Sequence, residues 1–302
     1  MKFIVAPASS QTGRAAVQAL LNDGSAPLVV GIYRNLGKVP AGFSSNPNFE
    51  AVKGDLTDPS TLDFVGADGV LVMTPPQYDG SDTIEHAKAI AKNVRDAVSR
   101  ASSVKRLVYI SSSGAQYGEG VGEIRTNHVS ETIYRGAAEE VVFTRNVYFM
   151  ENWVAALDTI KADQPHFYSP LTPLDYKLPM VSTVDVGRTG AKELLGTGSG
   201  SDTNPQIIYL QGPEWYSTRD VQKAFEQVTG KSIEVRLVEK NNLADYFSQF
   251  LPSNLVSSYT EMTLSILPGD FMEAEKENLH NARRGQDTLV DAFKRMWDEA
   301  NT

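Results

Sequence analysis

Residues able to do chemistry gather at a few places in this 302-residue chain. The first is the turn Pro7-Ala8-Ser9-Ser10-Gln11-Thr12-Gly13, which follows the apolar run Phe3-Ile4-Val5-Ala6 and precedes a stretch whose Val17, Leu20 and Leu21 share one helical face. In a dinucleotide fold, the turn after the first strand carries glycines so that the backbone can approach a pyrophosphate seated at the next helix N-terminus. Aligned with glycine-x-x-glycine-x-x-glycine, only Gly13 survives; Pro7 and Ser10 hold the first two places. The turn either receives phosphate among Ser9, Ser10, Gln11 and Thr12, or merely joins strand to helix with Ser9 or Ser10 as the cap. About 20 residues beyond the helix start, where an acidic residue usually takes the ribose diol, the chain has Tyr33-Arg34-Asn35. Arg34 either pairs with a 2′-phosphate through its planar fork, favouring NADP(H) over NAD(H), or is a solvated strand-end arginine.

Groups able to move a proton are sparse. His128, in Asn127-His128-Val129-Ser130-Glu131, is the best candidate donor because imidazole titrates near neutrality; the alternative is a helix-start histidine with a structural hydrogen bond. Tyr117 is a secondary acid candidate in the glycine-rich segment Gly114 to Gly122, which is either a lid over a substrate or a long loop. No lysine has a tyrosine four residues before it, so the acid/base pair in which a lysine lowers a phenol's pKa is missing. His86, His166 and His280 lack ligand spacing, and no metal site is expected. Ser111-Ser112-Ser113 has no Gly-x-Ser-x-Gly context. With no cysteine, thiolate chemistry and disulfides are excluded, and redox work needs a borrowed cofactor.

These groups must be held by an ordered scaffold. Short β-branched runs at Phe3–Ala6, Leu28–Tyr33, Gly69–Met73, Arg106–Ser111 and Val141–Thr144 read as buried parallel strands. Helical signals lie between them: Asp58-Pro59 as cap and first-turn proline, and Ile84, Ala87, Ala91, Val94 and Val98 at helical spacing. The alternation predicts an α/β, Rossmann-type doubly wound parallel sheet. Prolines 165, 170, 173 and 179 suggest that the chain then leaves the sheet, and Gln206–Leu210, after the polar loop 197–204, is expected to rejoin it. Ser217 caps a helix with Val221, Ala224, Phe225 and Val228 inward and Gly230 as its stop. Residues 1–152, rejoined by about 181–212, form the nucleotide lobe; 153–180 and 213–302, rich in Tyr246, Phe247, Phe250, Phe271, Phe293 and Trp297, form a smaller, mostly helical lobe.

Composition narrows the partners. A formal charge of −9, with 28 basic against 37 acidic residues and no basic block, disfavours nucleic acid. No apolar stretch approaches the length of a membrane span or signal-peptide core, so the expected setting is cytoplasmic and the expected partner a small-molecule substrate.

Taken in order, the strand-one turn, Gly54-Asp55-Leu56-Thr57-Asp58, Met73-Thr74-Pro75-Pro76, Tyr109-Ile-Ser-Ser-Ser113, Thr144-Arg145-Asn146-Val-Tyr-Phe-Met-Glu151-Asn152 and Val184-Asp185-Val186-Gly187 make the chain resemble the NmrA-like family of atypical short-chain dehydrogenase/reductases over nearly its whole length. The resemblance implies a Rossmann lobe holding NADP(H) and a smaller lobe closing a substrate cleft. By position, it puts Asp55 and Leu56 at the adenine, Thr74 to Gln77 past ribose and phosphates, and Ser111 at the nicotinamide. It puts Asn146, Tyr148, Phe149, Asn152 and Trp153 at the junction with substrate. Each has a structural alternative: a turn cap for Asp55, stiffening for Pro75-Pro76, inter-lobe core for Tyr148, Phe149 and Trp153. Relatives place a lysine near the helix corresponding to 127–131, where this chain has only His128.

Three functions follow. The first is NADP(H)-dependent hydride transfer to a small conjugated or aromatic acceptor such as a quinone, azo compound or enone, which needs little enzymic acid. The second is a non-catalytic NADP-sensing regulator that binds a partner protein. The third is a redox-neutral isomerase or cyclase using the same pocket.

Overall fold

Alternation along each apolar run sends neighbouring side chains to opposite faces of a sheet. The computed structural model describes residues 1–196 and 203–301. Its strands are β1 (Lys2–Ala6), β2 (Leu28–Tyr33), β3 (Phe49–Lys53), β4 (Gly69–Val72), β5 (Arg106–Ser112), β6 (Glu140–Asn146), β7 (Tyr148–Phe149), β8 (His166–Ser169), β9 (Leu178–Val181), β10 (Gln206–Gln211), β11 (Trp215–Tyr216), β12 (Glu234–Leu237) and β13 (Arg283–Arg284). The helices are α1 (Gln11–Leu21), α2 (Ala41–Ser44), α3 (Thr83–Arg100), α4 (Arg125–Tyr134), α5 (Leu157–Lys161), α6 (Thr183–Leu194), α7 (Thr218–Thr229), α8 (Leu243–Phe247), α9 (Ser253–Ser265), α10 (Phe271–Ala274), α11 (Lys276–His280) and α12 (Leu289–Glu299).

The main sheet runs β13-β10-β6-β5-β4-β1-β2-β3, parallel throughout. Its order reverses between β1 and β4, the kind of switch point that opens a ligand crevice beyond the strand ends. Period-two packing is visible on both faces. Phe3, Val5, Leu71, Val108 and Val142 enter one core with α1 and α6, while Ile4, Ala6, Val70, Val72, Leu107, Tyr109 and Phe143 enter the other with α3 and α4. A third core joins Met150, Trp153, Phe167, Phe225 and Phe293, with Phe225 stacked on Phe293 at 4.0 Å between ring centroids.

The expected return of Gln206–Leu210 occurs, with β10 beside β6. Ser217 and Gly230 bound α7 as predicted: Ser217 and Asp220 form a reciprocal capping box, and Gly230 adopts φ 69. The structure also departs from expectation. Strand β3 went unanticipated because it lies at the edge, with Glu50 and Lys53 exposed. Asp58-Pro59 starts only one 3₁₀ turn, Pro59–Thr61. The proline-rich stretch does leave the main sheet, but it holds β8 and β9, which pair with β12 and β11. The chain reaches the sheet again through β13 beside β10, and Phe271 and Leu279 pack with the α1 and α6 core. This part of 213–302 therefore sits with the sheet and not with the smaller core. Residues 197–202 of the polar loop lie outside the described residues.

Candidate functional site

The crevice begins at the turn from β1 into α1. Ser10 caps α1, and its Oγ is folded inward: it accepts the Gly13 N–H at 2.9 Å and lies 3.2 Å from the Pro7 carbonyl and 3.1 Å from Met73 Sδ. The side chain at the second motif place therefore does not stand over the helix end. Gly13 keeps the packing duty of a third glycine, since a Cβ there would lie 2.3 Å from the Pro7 carbonyl oxygen. With Gly13 satisfied by Ser10, the N–H groups of Gln11 and Thr12 have no acceptor among the described residues. Ser9 beside them is exposed. Open helix-terminal N–H groups of this kind fit a phosphate.

Arg34, at the end of β2, is exposed and makes no hydrogen bond or ion pair among the described residues. Asn35 caps the next 3₁₀ turn through Gly37 N–H at 2.9 Å. Asp55 uses one carboxylate oxygen as a turn cap, accepting from Thr57 N at 2.9 Å and Thr57 Oγ1 at 2.8 Å. Leu56 turns its side chain into the core, 4% exposed. His86, in the first turn of α3, is felt electrostatically at this corner. Burial lowers its pKa, Asp79 and Asp55 oppose that, and Arg34 adds to it.

Past β4, Thr74 Oγ1 meets Tyr109 Oη at 3.0 Å and Ser130 Oγ at 3.3 Å. Tyr109 also donates to Asn127 Oδ1 at 3.1 Å. Its phenol is fully buried, which pushes its pKa up to about 12. Pro75 is half-buried and Pro76 exposed. Gln77 Nε2 donates to Asp79 at 2.8 Å and Ser81 at 2.6 Å, leaving its Oε1 buried without a partner.

Ser111 lies 4% exposed at the end of β5 and donates to Glu131 Oε1 at 2.7 Å. Glu131 in turn receives Arg145 bidentately, and Arg145 Nη1 reaches Gln116 at 3.0 Å and Tyr209 at 2.9 Å. Burial works against the Arg145 charge, but Glu131 and Tyr209 outweigh it and hold the guanidinium more firmly protonated than usual. Gln116 also donates to Glu275, as does Tyr117 at 3.1 Å. Burial, then Glu275, raises the Tyr117 pKa.

Thus the glycine-rich segment is anchored. Tyr117 packs on Phe271 at 5.7 Å, and Gly122 approaches α9 so closely that a Cβ would lie 1.9 Å from the Ser258 carbonyl oxygen. His128 Nδ1 donates to the Ala115 carbonyl at 2.9 Å and its ring lies against Gly118.

The remaining candidates divide by burial. Asn146 is 2% exposed; its Nδ2 bonds the Ser111 and Thr144 carbonyls, and its Oδ1 is unpartnered. Tyr148 and Phe149 are half-buried in β7, and burial raises the Tyr148 phenol. Asn152 is exposed. Trp153 is 4% exposed and meets Phe167 edge-on at 5.5 Å, which makes it part of the smaller core. Asn127, which the sequence did not single out, stands four residues before Glu131 on the same face of α4. Among the described residues no three His, Asp or Glu side chains are placed to hold a metal ion, and no helix is long and apolar enough to cross a membrane.

A parallel sheet reversing between β1 and β4, with an open helix N-terminus at the reversal, defines a Rossmann-type α/β protein. The sequence profile of the NmrA-like family matches residues 2–276, and the chain belongs to that family. Similar solved structures include a triphenylmethane reductase from Citrobacter sp. complexed with NADP(H), at 17% identity and TM-score 0.70, covering 98% of this chain and 100% of that one. An NADPH-dependent quinone oxidoreductase, QOR2, from Escherichia coli, complexed with NADPH, has the same identity, coverage and TM-score. NmrA, a negative transcriptional regulator, is 15% identical with a TM-score of 0.67, covering 98% of this chain and 91% of that one. No protein of curated function matches the chain by sequence.

Proposed function

We propose that this protein is an NADP(H)-dependent reductase that delivers hydride to a small conjugated or aromatic acceptor such as a quinone, azo compound or enone. The observation that carries this reading is the open N-terminus of α1, whose turn is tied to the end of β2 by the Ala8 N–H to the Ile32 carbonyl at 3.0 Å, with Arg34, exposed and unpaired among the described residues, two residues further on. Gln11 and Thr12 N–H groups hold the pyrophosphate, Arg34 takes the 2′-phosphate, and Asp55 with the Leu56 backbone borders the adenine. Thr74 to Gln77 line the ribose side, and Ser111 faces the nicotinamide. When bound, the cofactor supplies the hydride. The chain's own residues orient the acceptor between Ser111, Asn146 and Tyr148 and exclude water from it. Reductases and NADP(H) complexes among the similar folds support this reading.

A second reading, a nicotinamide-sensing regulator, is favoured by one feature: the helix stretch 127–131 holds no lysine, and its Glu131 is locked to Arg145. Titration with NADPH, NADP and NADH tests the cofactor assignment, and absence of binding at millimolar concentration rejects both readings. If NADPH binds, its oxidation by a panel of quinones separates reductase from sensor.

A further inference from the structure

One hydrogen-bond donor beside Tyr109 is unused. Tyr109 is fully buried in the middle of β5, its ring 5.1 Å from Tyr134 and 6.2 Å from Phe143, so its hydroxyl is a fixed strut. A phenol has one hydrogen to donate, and that of Tyr109 goes to Asn127 Oδ1. Its 3.0 Å contact with Thr74 must therefore be donated by Thr74. The Ser130 hydrogen goes to the Thr126 carbonyl at 2.8 Å, and that of Ser111 to Glu131. The hydroxyl hydrogens of this corner all point inward.

The Asn127 amide differs. Its oxygen is held by Tyr109, whereas its Nδ2 has no partner among the described residues and is not one of the buried unpartnered polar atoms. Asn127 is half-buried, so its accessible atom is a two-hydrogen donor. Tyr109 links it to Thr74, just past β4, and the shared face of α4 puts it one turn from Glu131, which holds Ser111 at the end of β5.

We infer that the Asn127 amide is a catalytic residue, donating a hydrogen bond to the carbonyl oxygen of the acceptor as it is reduced; the inference rests on the reductase reading above. A bound reduced nicotinamide would supply hydride to the acceptor's conjugated carbon and be oxidised by two electrons; the Asn127 amide would then hold the carbonyl oxygen as the π pair moves onto it, and solvent would supply the proton that completes the product, so electrons and atoms balance. A neutral donor suffices because the oxyanion of a hydroquinone is a weak base, and a fixed N–H in a partly dry site stabilises it without giving up a proton.

The test uses Asn127→Asp and Asn127→Ala in the full chain with NADP(H). Asn127→Asp keeps an oxygen for Tyr109 but removes the donor. Expected at neutral pH are an about 100-fold loss of kcat with a quinone, unchanged NADPH affinity, and at least ~10-fold weaker binding of nitrophenolate, an oxyanion probe, to the NADP-saturated protein. Asn127→Asp regains activity as pH falls toward ~4, where a protonated carboxyl donates again, whereas Asn127→Ala does not; a merely structural role would not produce that difference. Wild-type turnover with both variants undiminished in kcat and nitrophenolate binding overturns the inference alone. A wild-type protein that neither binds NADPH nor reduces a quinone overturns the reductase reading, and this inference with it.

Discussion

Glu131 and Arg145 form a two-pronged ion pair, Nε to Oε1 at 3.0 Å and Nη2 to Oε2 at 2.7 Å, with side chains only 3% and 7% exposed. It joins α4 to β6, and Glu131 also accepts the Ser111 hydroxyl. Removing one partner leaves the other charge buried and uncompensated, which typically costs about 3–5 kcal/mol. Arg145→Met should lower the unfolding free energy by that amount in denaturant titration. The Glu131→Leu/Arg145→Met double variant should recover most of it. A double variant as unstable as the single one would show that the pair's charges are not what the site depends on.

The strand-one turn makes two separable predictions. Gly13→Ala forces a Cβ toward the Pro7 carbonyl and should cost about 1–3 kcal/mol, with weaker NADPH binding because the helix end shifts. Ser10→Ala removes the cap and should cost about 1 kcal/mol while leaving NADPH affinity unchanged, since Ser10 Oγ faces inward. Calorimetry and fluorescence titration on the pair check this. A large affinity loss in Ser10→Ala would mean that the hydroxyl reaches the ligand.

Alkaline stability follows from Tyr109. Its folded pKa of about 12, raised by burial above the usual 10, means that the unfolded chain loses the phenolic proton first. The stabilisation is fully present below about pH 10 and is lost as pH rises toward 12. Unfolding free energies measured across that window should fall, and Tyr109→Phe should flatten the fall. An equal slope in both proteins would contradict the assignment.

Much of this fold is legible because buried parallel strands read as unbroken apolar runs, as in Gly69–Val72 and Arg106–Ser112. Edge pieces carry no such signal: Phe49–Lys53 alternates with charge, and β13 is Arg283-Arg284. Caps are local chemistry, so Ser217 and Gly230 announce α7. The site was harder to read. Leu56 and Trp153 have the types expected of lining residues, but tertiary packing takes both side chains inward. Glu131 and Arg145 are joined only by the crossing of α4 over β6. Asn127 has no titration to betray it, and its donor is defined only through Tyr109, 18 residues away.

Whether Arg34 reads the 2′-phosphate of NADP(H) is decided by parallel titrations of wild type and Arg34→Ala with NADPH and NADH. A lost charge-assisted bond is worth about 1.5–3 kcal/mol, so NADPH affinity should drop roughly ten- to a hundredfold while NADH affinity barely changes. Equal losses for the two nucleotides, or none for either, would show that Arg34 does not bind the 2′-phosphate.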